Sequence, residues 1–432
     1  MSIENLKDSA PQAMQWLDSA PARKVMKALE AARPAAPQVE GAMARFVGGC
    51  VRNALLGQEV DDIDIATPLT PPQVADALLA AGIRMAPTGI EHGTITAVAD
   101  GVPFEITTLR RDVETDGRRA VVAFSADWTE DAQRRDFRLN AIYADADGAI
   151  FDPVAGVADA RAGRVIFIGT PDDRIREDYL RILRFFRFSA WYSKAPLDEE
   201  GFAACARHID GMASLSVERI WKELKKLLAA PDPRLALHGL EVGGLLRKIL
   251  PEAPGAAMLD RLIGAQVRMS SNGAAFARAD SMPRFMALVL DAEAGARAAV
   301  RLKMSNEEKE RLAEGLSRDG APMPPISERA ARAALYRLGR QAFQDRLILT
   351  LANAHADSDL ARFKRLSDFA SAWAVPKLPI GGDDLLRVGL KPGPQVGASL
   401  RSVEDWWIEN DFPADRKVLL AKAQEFAKGA TP

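Results

Sequence analysis

The character of the chain changes sharply near Pro171, and this change limits the possible folds more than any other feature. From Arg45 to about Ile168, short β-rich runs alternate with loops. After Pro171, roughly 260 residues are rich in Ala, Leu and Arg, and their apolar positions recur with a helix-like period. The pattern predicts an α+β protein with a small mixed α/β domain near the front and a long helical portion behind it.

Composition excludes several classes of protein. Apolar residues make up 48% and charged residues 27% of the chain, which is typical of an ordinary soluble globular protein. With a net charge of −2, any surface for nucleic acid must be a local patch. Cys50 and Cys205 lie far apart in sequence, and only four histidines occur, so a disulfide scaffold or a Cys/His metal site is not expected. No apolar run of about 18 residues and no signal-peptide pattern occur, which predicts a cytoplasmic protein without a membrane segment.

A glycine pair marks the first candidate for a binding site. Residues 46–68 read FVGGCVRNALLGQEVDDIDIATP, in which a strand end precedes Gly48 and Gly49. Residues 51–56 are predicted to form a short helix that ends at Gly57. Backbone N–H groups at a glycine turn and a helix start can bind an anion such as a triphosphate.

Acidic residues follow this turn. Asp62 and Asp64 lie two apart in a predicted strand and so share one face, where they would repel each other unless they face a divalent cation such as Mg²⁺. Asp61 points to the opposite face and is expected to be solvated. Glu105, inside the otherwise apolar run VPFEITTL, is the candidate for a third carboxylate. The alternatives are a solvent-facing acidic strand and an outward-facing Glu105 on an edge strand.

A basic and acidic cluster occurs in residues 131–143, which read DAQRRDFRLNAIY. Arg134, Arg135 and Asp136 are predicted to open a helix-like segment, with Asn140 one turn further on. Arginine suits a triphosphate by charge and fork geometry, and a carboxylate accepts hydrogen bonds from ribose hydroxyls. A capped helix with surface charges is the alternative.

Residues 172–192, DDRIREDYLRILRFFRFSAWY, are predicted to form one helix. On it, Asp178, Arg181, Arg184 and Arg187 recur every three residues, so Asp178 and Arg181 lie side by side and Arg187 drifts to the far side. An adjacent carboxylate and guanidinium can read the edge of a base, because the carboxylate accepts from an exocyclic amine and the guanidinium donates to ring acceptors. The alternative is a salt bridge on a surface helix.

These motifs together resemble those of the class II CCA-adding tRNA nucleotidyltransferases and bacterial poly(A) polymerases, in the DNA polymerase β-like superfamily. GG-x-VR, D-x-D, EITTLR, RRDF..NA and ED..R..R occur in the order found in that group, across residues 46–230. Residues 215–228, LSVERIWKELKKLL, look like the family's helix behind the nucleotide pocket. Residues 379–400 are similar to a tail segment of the family, and within their GGDD we interpret Asp384 as a helix cap.

The resemblance implies a polymerase-β-like head with a mixed sheet of the five-stranded type, followed by an elongated all-helical neck, body and tail. The expected boundaries are a helical lead-in at 1–44, the head at 45–169, the neck at 170–231, the body at 232–372 and the tail at 373–432.

It also implies roles in the head. Asp62 and Asp64 would ligate Mg²⁺, with Glu105 as the third catalytic carboxylate. Gly49, after Gly48 in the turn, and Arg52 would hold the triphosphate.

Further roles concern the nucleotide. Arg135 would contact it near the ribose-binding Asp136. Residues 115–119, TDGRR, would form a flexible loop. The residues expected to form or brace the template for the base of CTP or ATP are Asp178, Arg181, Arg184 and Arg187.

The implied reaction is the addition of CMP, CMP and AMP to the 3′ end of tRNA, with no role for DNA. Poly(A) polymerases, CC-only enzymes and A-only enzymes share every motif, although the ending EFAKGATP, without a long basic extension, weighs against a poly(A) polymerase. A non-catalytic nucleotide- or RNA-binding relative is the alternative from another class. Two positions depart from the family pattern: Asn53 stands in place of Asp, and Arg138 stands in place of Thr.

Overall fold

The computed structural model describes residues 4–9, 14–33, 39, 41–86, 93–115, 120–271, 279–317, 327–354 and 356–429. The chain divides into two compact units, Met1–Ile249 and Leu250–Pro432. Within these described ranges, none of the helices combines the length and hydropathy that a membrane span requires.

The first unit contains the sheets. In its described part, the main sheet has seven strands in the order β3-β4-β5-β2-β1-β8-β9, and β6 pairs with β7 in a separate hairpin. The expected five-stranded type is therefore extended. The strands are β1 Arg45–Val47, β2 Asp64–Thr67, β3 Arg84–Ala86, β4 Thr94–Ala99, β5 Val102–Thr108, β6 Arg110–Thr115, β7 Ala120–Phe124, β8 Tyr143–Ala144 and β9 Ile150–Phe151.

The sheet is mixed because β2 and β5 are parallel, whereas its other neighbouring strands are antiparallel. The parallel register places Asp64 beside Glu105. Since β5 lies between β4 and β2, Glu105 is not on an edge strand, although its side chain is exposed. Residues 163–169, GRVIFIG, lie at the end of the region where short β-rich runs were predicted, but they form only an isolated bridge between Phe167 and Phe137, so the prediction was wrong for this run.

The N-terminal lead-in packs on the head. The Leu6 N–H donates to the Gly148 carbonyl at 2.7 Å, and the Trp16 ring meets Phe46 edge to face at 4.9 Å between centroids. The helices of the first unit are α1 Leu6–Ser9, α2 Met14–Leu17, α3 Ala20–Ala31, α4 Gly49–Leu55, α5 Pro71–Ala80, α6 Trp128–Gln133, α7 Gly156–Ala162, α8 Pro171–Glu177, α9 Leu180–Tyr192, α10 Glu199–Arg207, α11 Val217–Leu228, α12 Arg234–Val242 and α13 Leu245–Ile249. Two 3₁₀ turns, Arg138–Asn140 and Ile209–Ser214, occur between them.

An aromatic cluster joins α9 to the head. The Phe137 ring lies 4.7 Å from Phe167 and 5.4 Å from Phe188, and Phe167 stacks on Phe185 at 5.6 Å between centroids. Aromatic pairs at these separations add to the free energy gained from burial alone. The apolar face of α9 is thereby fixed, which leaves its arginines to face the other way.

The second unit is helical. Its helices are α14 Ala257–Ser271, α15 Ser281–Val289, α16 Ala292–Arg301, α17 Asn306–Leu316, α18 Glu328–Thr350, α19 Asp357–Ala372, α20 Gly382–Arg387, α21 Pro394–Glu409 and α22 Arg416–Gly429. A 3₁₀ turn, Leu351–Asn353, follows α18. At the start of α20 the Gly381 N–H donates to Asp384 Oδ2 at 2.9 Å, so Asp384 caps the helix as predicted.

The predicted fold class, a mixed-sheet head followed by helices, is confirmed. The compact units divide at Ile249. The finer boundaries of lead-in, neck, body and tail stay predictions.

Candidate active site

A polar cavity of about 560 Å³ lies in the first unit, within the usual size range of small-molecule sites. Six arginines and one lysine line it, together with five aspartates. The lining residues are Gly49, Cys50, Arg52, Asn53, Val60, Asp61, Asp62, Asp64, Arg134, Arg135, Asp136, Asn140, Asp178, Arg181, Arg184, Arg187, Phe188 and Lys226.

The glycine turn opens α4 beside this cavity. Gly48 adopts φ 73° and ψ −118°, a backbone conformation that side-chain-bearing residues rarely take. Its N–H donates to the Ile142 carbonyl at 3.1 Å, and Gly48 does not line the cavity. Gly48 turns the chain here, and its part in nucleotide binding stays a prediction. The N–H groups in the first turn of α4, beginning at Gly49, have no intrahelical acceptor.

Arg52 is a buried guanidinium with neutral partners. Its Nη2 donates to the Tyr192 hydroxyl at 2.7 Å and to Asn53 Oδ1 at 2.9 Å, and its Nη1 donates to Asn140. Burial lowers the pKa of Arg52. Within the described ranges no carboxylate forms an ion pair with it. A buried cation without a carboxylate partner favours binding of an anion in the cavity.

The two departures from the family pattern have physical accounts. Asn53 Oδ1 accepts from both Arg52 and Tyr192, so the amide replaces a carboxylate as an acceptor without adding a charge. Arg138 Nη1 lies 3.7 Å from Asp159 Oδ2, and Arg138 does not line the cavity.

The acidic pair lies at the start of β2 and not inside a strand. β2 begins at Asp64, and Asp62 precedes it, so the prediction of one strand carrying both was wrong. Ile63 is buried, which anchors the segment, while Asp61 and Asp62 are exposed. All three aspartates line the cavity, including Asp61, which was expected to face away. An irregular approach to the strand frees the side chains from strict alternation.

Asp64 is the aspartate of this group whose ionisation is disfavoured. Burial, and then the neighbouring Glu105 carboxylate, raise the pKa of Asp64 to about 6. The charged form is therefore unfavourable unless a cation lies nearby, and oxygen ligands are those that Mg²⁺ prefers. No group of three His, Cys, Asp or Glu side chains in the described chain forms a complete metal site. A divalent ion held by Asp62 and Asp64 would need substrate oxygens and water as its remaining ligands.

The segment around Arg135 differs from its prediction. α6 ends at Gln133, and Arg134 is its C-terminal cap, so these arginines follow a helix and do not open one. Both guanidinium groups bind the buried carboxylate of Asp131. Arg135 Nη1 lies 3.8 Å from the position that a Cβ on Gly48 would occupy, which places it beside the glycine turn.

Asp136 joins the head to α9. Its Oδ1 accepts from the Phe137 N–H at 2.9 Å and Asn140 Nδ2 at 3.1 Å, and its Oδ2 accepts from Arg184 Nε at 2.7 Å. Burial opposes ionisation, but Arg184 and Asn140 hold the pKa of Asp136 below its usual value. A ribose hydroxyl would share this carboxylate with Arg184, because a carboxylate has about four acceptor positions.

The predicted single helix over 172–192 is two helices. Asp178 has extended backbone, φ −153° and ψ 106°, and its Oδ1 accepts from the Leu180 N–H at 3.0 Å. A short polar side chain that bonds its own backbone competes with the helix. Asp178 Oδ2 then binds Arg219 Nη2 at 2.7 Å. Asp178 and Arg181 both line the cavity, and each side chain is paired with another residue, Arg219 and Glu177 respectively.

Arg181 and Arg187 are each held by a glutamate. Arg181 binds Glu177, and its Nη1 donates to the Arg174 carbonyl at 2.9 Å. Arg187 Nε lies 2.6 Å from Glu223 Oε2 of α11. Arg187 lines the cavity, so its expected place on the far side of the helix was wrong. The break at Asp178 changes the rotation of α9 relative to the residues before it.

The structure brings most predicted site residues together. Ten of them line the cavity, whereas Gly48 and Glu105 do not. The predicted loop at 115–119 lies outside the described residues from 116 to 119. Lys226 and Phe188 were missed because helical spacing alone gives no sign of which apolar or basic residue reaches a distant site. Asp131 was also missed, although its spacing of three and four from the two arginines is a recognisable signal.

The chain is similar to several known proteins. Residues 44–166 match the family described as the poly A polymerase head domain, and residues 196–255 match the probable RNA and SrmB-binding site of polymerase A. The CCA tRNA nucleotidyltransferase 1, mitochondrial, of Mus musculus is 33% identical over 87% of this chain and 85% of its own length. The CCA-adding enzyme of Lactococcus lactis subsp. cremoris is 31% identical over 89% of this chain and 93% of its own.

A solved structure extends the likeness to the fold. The Bacillus stearothermophilus CCA-adding enzyme in complex with CTP superposes with a TM-score of 0.73 and 26% identity, covering 95% of this chain and 98% of that one. The chain belongs to the family of CCA-adding tRNA nucleotidyltransferases.

Proposed function

We propose that this protein adds CMP, CMP and AMP, from CTP and ATP, to the 3′ end of tRNA. The observation that carries the proposal is that one cavity is lined both by an acidic pair suited to a metal ion and by an acceptor and donors suited to a base. Asp62 and Asp64 line it beside Gly49 of the glycine turn. Asp178 supplies an acceptor between α8 and α9, and Arg181 supplies donors from the first turn of α9. The named relatives, with their similar length, support the same activity.

In the proposed mechanism, the tRNA 3′-hydroxyl oxygen attacks the α-phosphorus of the bound nucleotide. A P–O bond forms, the bond to the β-phosphate oxygen breaks, the hydroxyl proton is lost to the surrounding acceptors, and pyrophosphate leaves. Arg52 and Arg135 would hold the triphosphate by charge and fork geometry. The amides at the start of α4 would contribute further donors.

Asp62 and Asp64 would hold Mg²⁺, with Glu105 placed beside Asp64 by the strand register. When bound, Mg²⁺ neutralises charge on the phosphates and favours the ionised hydroxyl. The ionised state of Asp64 would itself be stabilised by such a cation.

Base choice would lie with Asp178 and Arg181, braced by Arg184 and Arg187. An ionised carboxylate accepts from the exocyclic amine that cytosine and adenine both carry, and the guanidinium donates to ring acceptors. Guanine and uracil present a carbonyl at the corresponding position, which a carboxylate repels. Asp136 would position the ribose through an acceptor shared with Arg184.

Purified protein with Mg²⁺ and three tRNA transcripts, ending before CCA, after C and after CC, tests this function. CTP and ATP are offered separately and together, and each product is sequenced. We expect two C additions and then one A. Products that stop at CC would assign a CC-adding enzyme. A lone A on the CC transcript would assign an A-adding enzyme, and a growing A tail would assign a poly(A) polymerase. No incorporation would favour a non-catalytic binding protein.

The cytoplasmic location expected from the sequence stays a prediction, since the Mus musculus relative is mitochondrial by name.

A further inference from the structure

A single buried carboxylate anchors two cavity arginines. Asp131, on α6, is 1% exposed. Its Oδ1 accepts from Arg134 Nε at 2.8 Å and Nη2 at 2.6 Å. Its Oδ2 accepts from Arg135 Nε at 3.2 Å and Nη2 at 2.9 Å. Each guanidinium thus presents the same two nitrogens to the anchor, in the paired geometry that gives charged hydrogen bonds direction as well as strength.

The remaining nitrogen of each arginine has no anchor. Neither Nη1 has a hydrogen-bond acceptor in the described part of the chain. Arg135 Nη1 lies beside the Gly48 turn, 3.8 Å from the position of a Cβ built there. Arg134 and Arg135 both line the cavity, whereas Asp131 does not. The anchor therefore lies behind the two cations, on the side away from the cavity.

Tyr143, on β8, completes the anchor. Its hydroxyl donates to Asp131 Oδ2 at 2.8 Å and accepts from Arg135 Nε at 3.2 Å. Its ring is buried and meets Trp128 edge to face at 5.6 Å. Burial opposes ionisation of Asp131, but Arg135 and Arg134 lower its pKa to about 2. One negative charge between two cations leaves a net positive charge, and without it the guanidinium groups would repel each other.

We propose that Asp131 is the positioning residue of this active site, which holds Arg134 and Arg135 side by side and turns their free Nη1 groups toward the polyphosphate of the nucleotide. The inference rests on the proposed function, since the polyphosphate is that of its substrate. Asp131 touches neither substrate nor metal in this account, and it acts through the two arginines.

The test uses the full-length Asp131→Asn variant and inorganic pyrophosphate as the probe, with Mg²⁺ and without tRNA. The amide keeps the size of the side chain but directs a donor at one guanidinium. We expect calorimetry to show pyrophosphate affinity reduced about ten- to a hundredfold, with a matching rise in KM for CTP. Discrimination of CTP from UTP should stay unchanged, because the base contacts lie on other elements. A smaller folded fraction would lower kcat and the calorimetric stoichiometry without raising KM, so the rise in KM separates the two causes.

Asp159→Asn is the matched control. Asp159 is also 1% exposed, lies on α7 and pairs with Arg164 at 2.7 Å, but it does not line the cavity. It should lower the melting temperature and leave pyrophosphate affinity unchanged. Equal weakening by both variants, or wild-type affinity in a folded Asp131→Asn, would overturn the proposal.

Tyr143→Phe tests the positioning role of Asp131 if Asp131→Asn does not fold. It removes only the hydroxyl and keeps the buried ring, so pyrophosphate affinity should fall about two- to tenfold. Unchanged affinity in Tyr143→Phe would then overturn the proposal. Because the probe is pyrophosphate, these results do not depend on which RNA is extended. A wild-type protein that ignores tRNA would contradict the proposed function while leaving the positioning role testable.

Discussion

At the scale of single residues, the site places costly charges where a ligand can neutralise them. The ionised form of Asp64 is disfavoured by burial and by Glu105, and Arg52 is a buried cation with neutral partners. Groups of both signs are held in this way around one cavity. Such arrangements reduce stability in the free protein and are typical of catalytic sites.

Glu105→Gln tests this balance through activity. The amide keeps the shape and loses the charge, so we expect the rate of nucleotidyl transfer to fall about a hundredfold or more, with little change in nucleotide affinity. Single-turnover kinetics separate the two effects. A rate within a few-fold of wild type would assign Glu105 to the solvent-facing role.

Glu105→Gln should raise the stability of the folded protein, although it lowers the rate of transfer. Asp64 has its folded pKa raised from 3.8 to about 6, so its protonated form is favoured on folding. Stability from this group is complete below about pH 4 and is lost as pH rises through 6. In chelator at pH 7 to 8, Glu105→Gln should recover up to roughly 1 kcal/mol, a value reduced because Glu105 is exposed.

Denaturant unfolding of wild type and variant across this pH range provides the measurement. Asp100→Asn is the control, since Asp100 is exposed and its positive φ suits asparagine equally well. A stability gain in both variants would show that loss of any negative charge is sufficient.

At the scale of elements, the sequence predicted some features of the secondary structure and missed others. The helical period over 172–192 was real, but it could not show that Asp178 would bond the Leu180 N–H and break the helix. Apolar alternation in GRVIFIG predicted a strand, yet only Phe167 finds a bridging partner. Pairing partners are set by tertiary packing, which no local pattern contains. The Gly48 turn, by contrast, was predictable because its positive φ depends on glycine itself.

The α8–α9 break carries the prediction on base choice. Asp178→Ala should reduce selection of CTP and ATP over GTP and UTP about ten- to a hundredfold, because a good base contact gives roughly 1–3 kcal/mol of discrimination. Relative incorporation of all four nucleotides on tRNA ending in C or CC measures this effect.

Asp173→Ala is its control, since Asp173 is an exposed residue of α8 that pairs with Arg176 at 2.6 Å and does not line the cavity. If Asp178→Ala rejects GTP and UTP as well as wild type does, the carboxylate serves only its salt bridge with Arg219, and base choice is made elsewhere.

At the scale of the whole molecule, the net charge gives no sign of the many cations that line the cavity. The chain carries −2 overall, yet seven cations and five aspartates line the cavity. Composition could show only that a polyanion site must be local, and motif order was needed to place it. The change near Pro171 was readable from the sequence, whereas the division at Ile249 lies beside the break PEAPG at 251–255, which nothing in the sequence distinguishes from the break PDP at 231–233.

If one cavity carries out all three additions, one acidic pair, Asp62 and Asp64, must serve every nucleotide added. The direct test measures CMP incorporation on tRNA lacking CCA and AMP incorporation on tRNA ending in CC, with Asp64→Ala beside wild type. Asp383→Ala, at an exposed position of α20 in the second unit, is the control and should stay fully active. We predict that Asp64→Ala loses both reactions by about a thousandfold or more, equivalent to roughly 4 kcal/mol, while tRNA binding is retained. Survival of either reaction at the wild-type rate would contradict a single shared site.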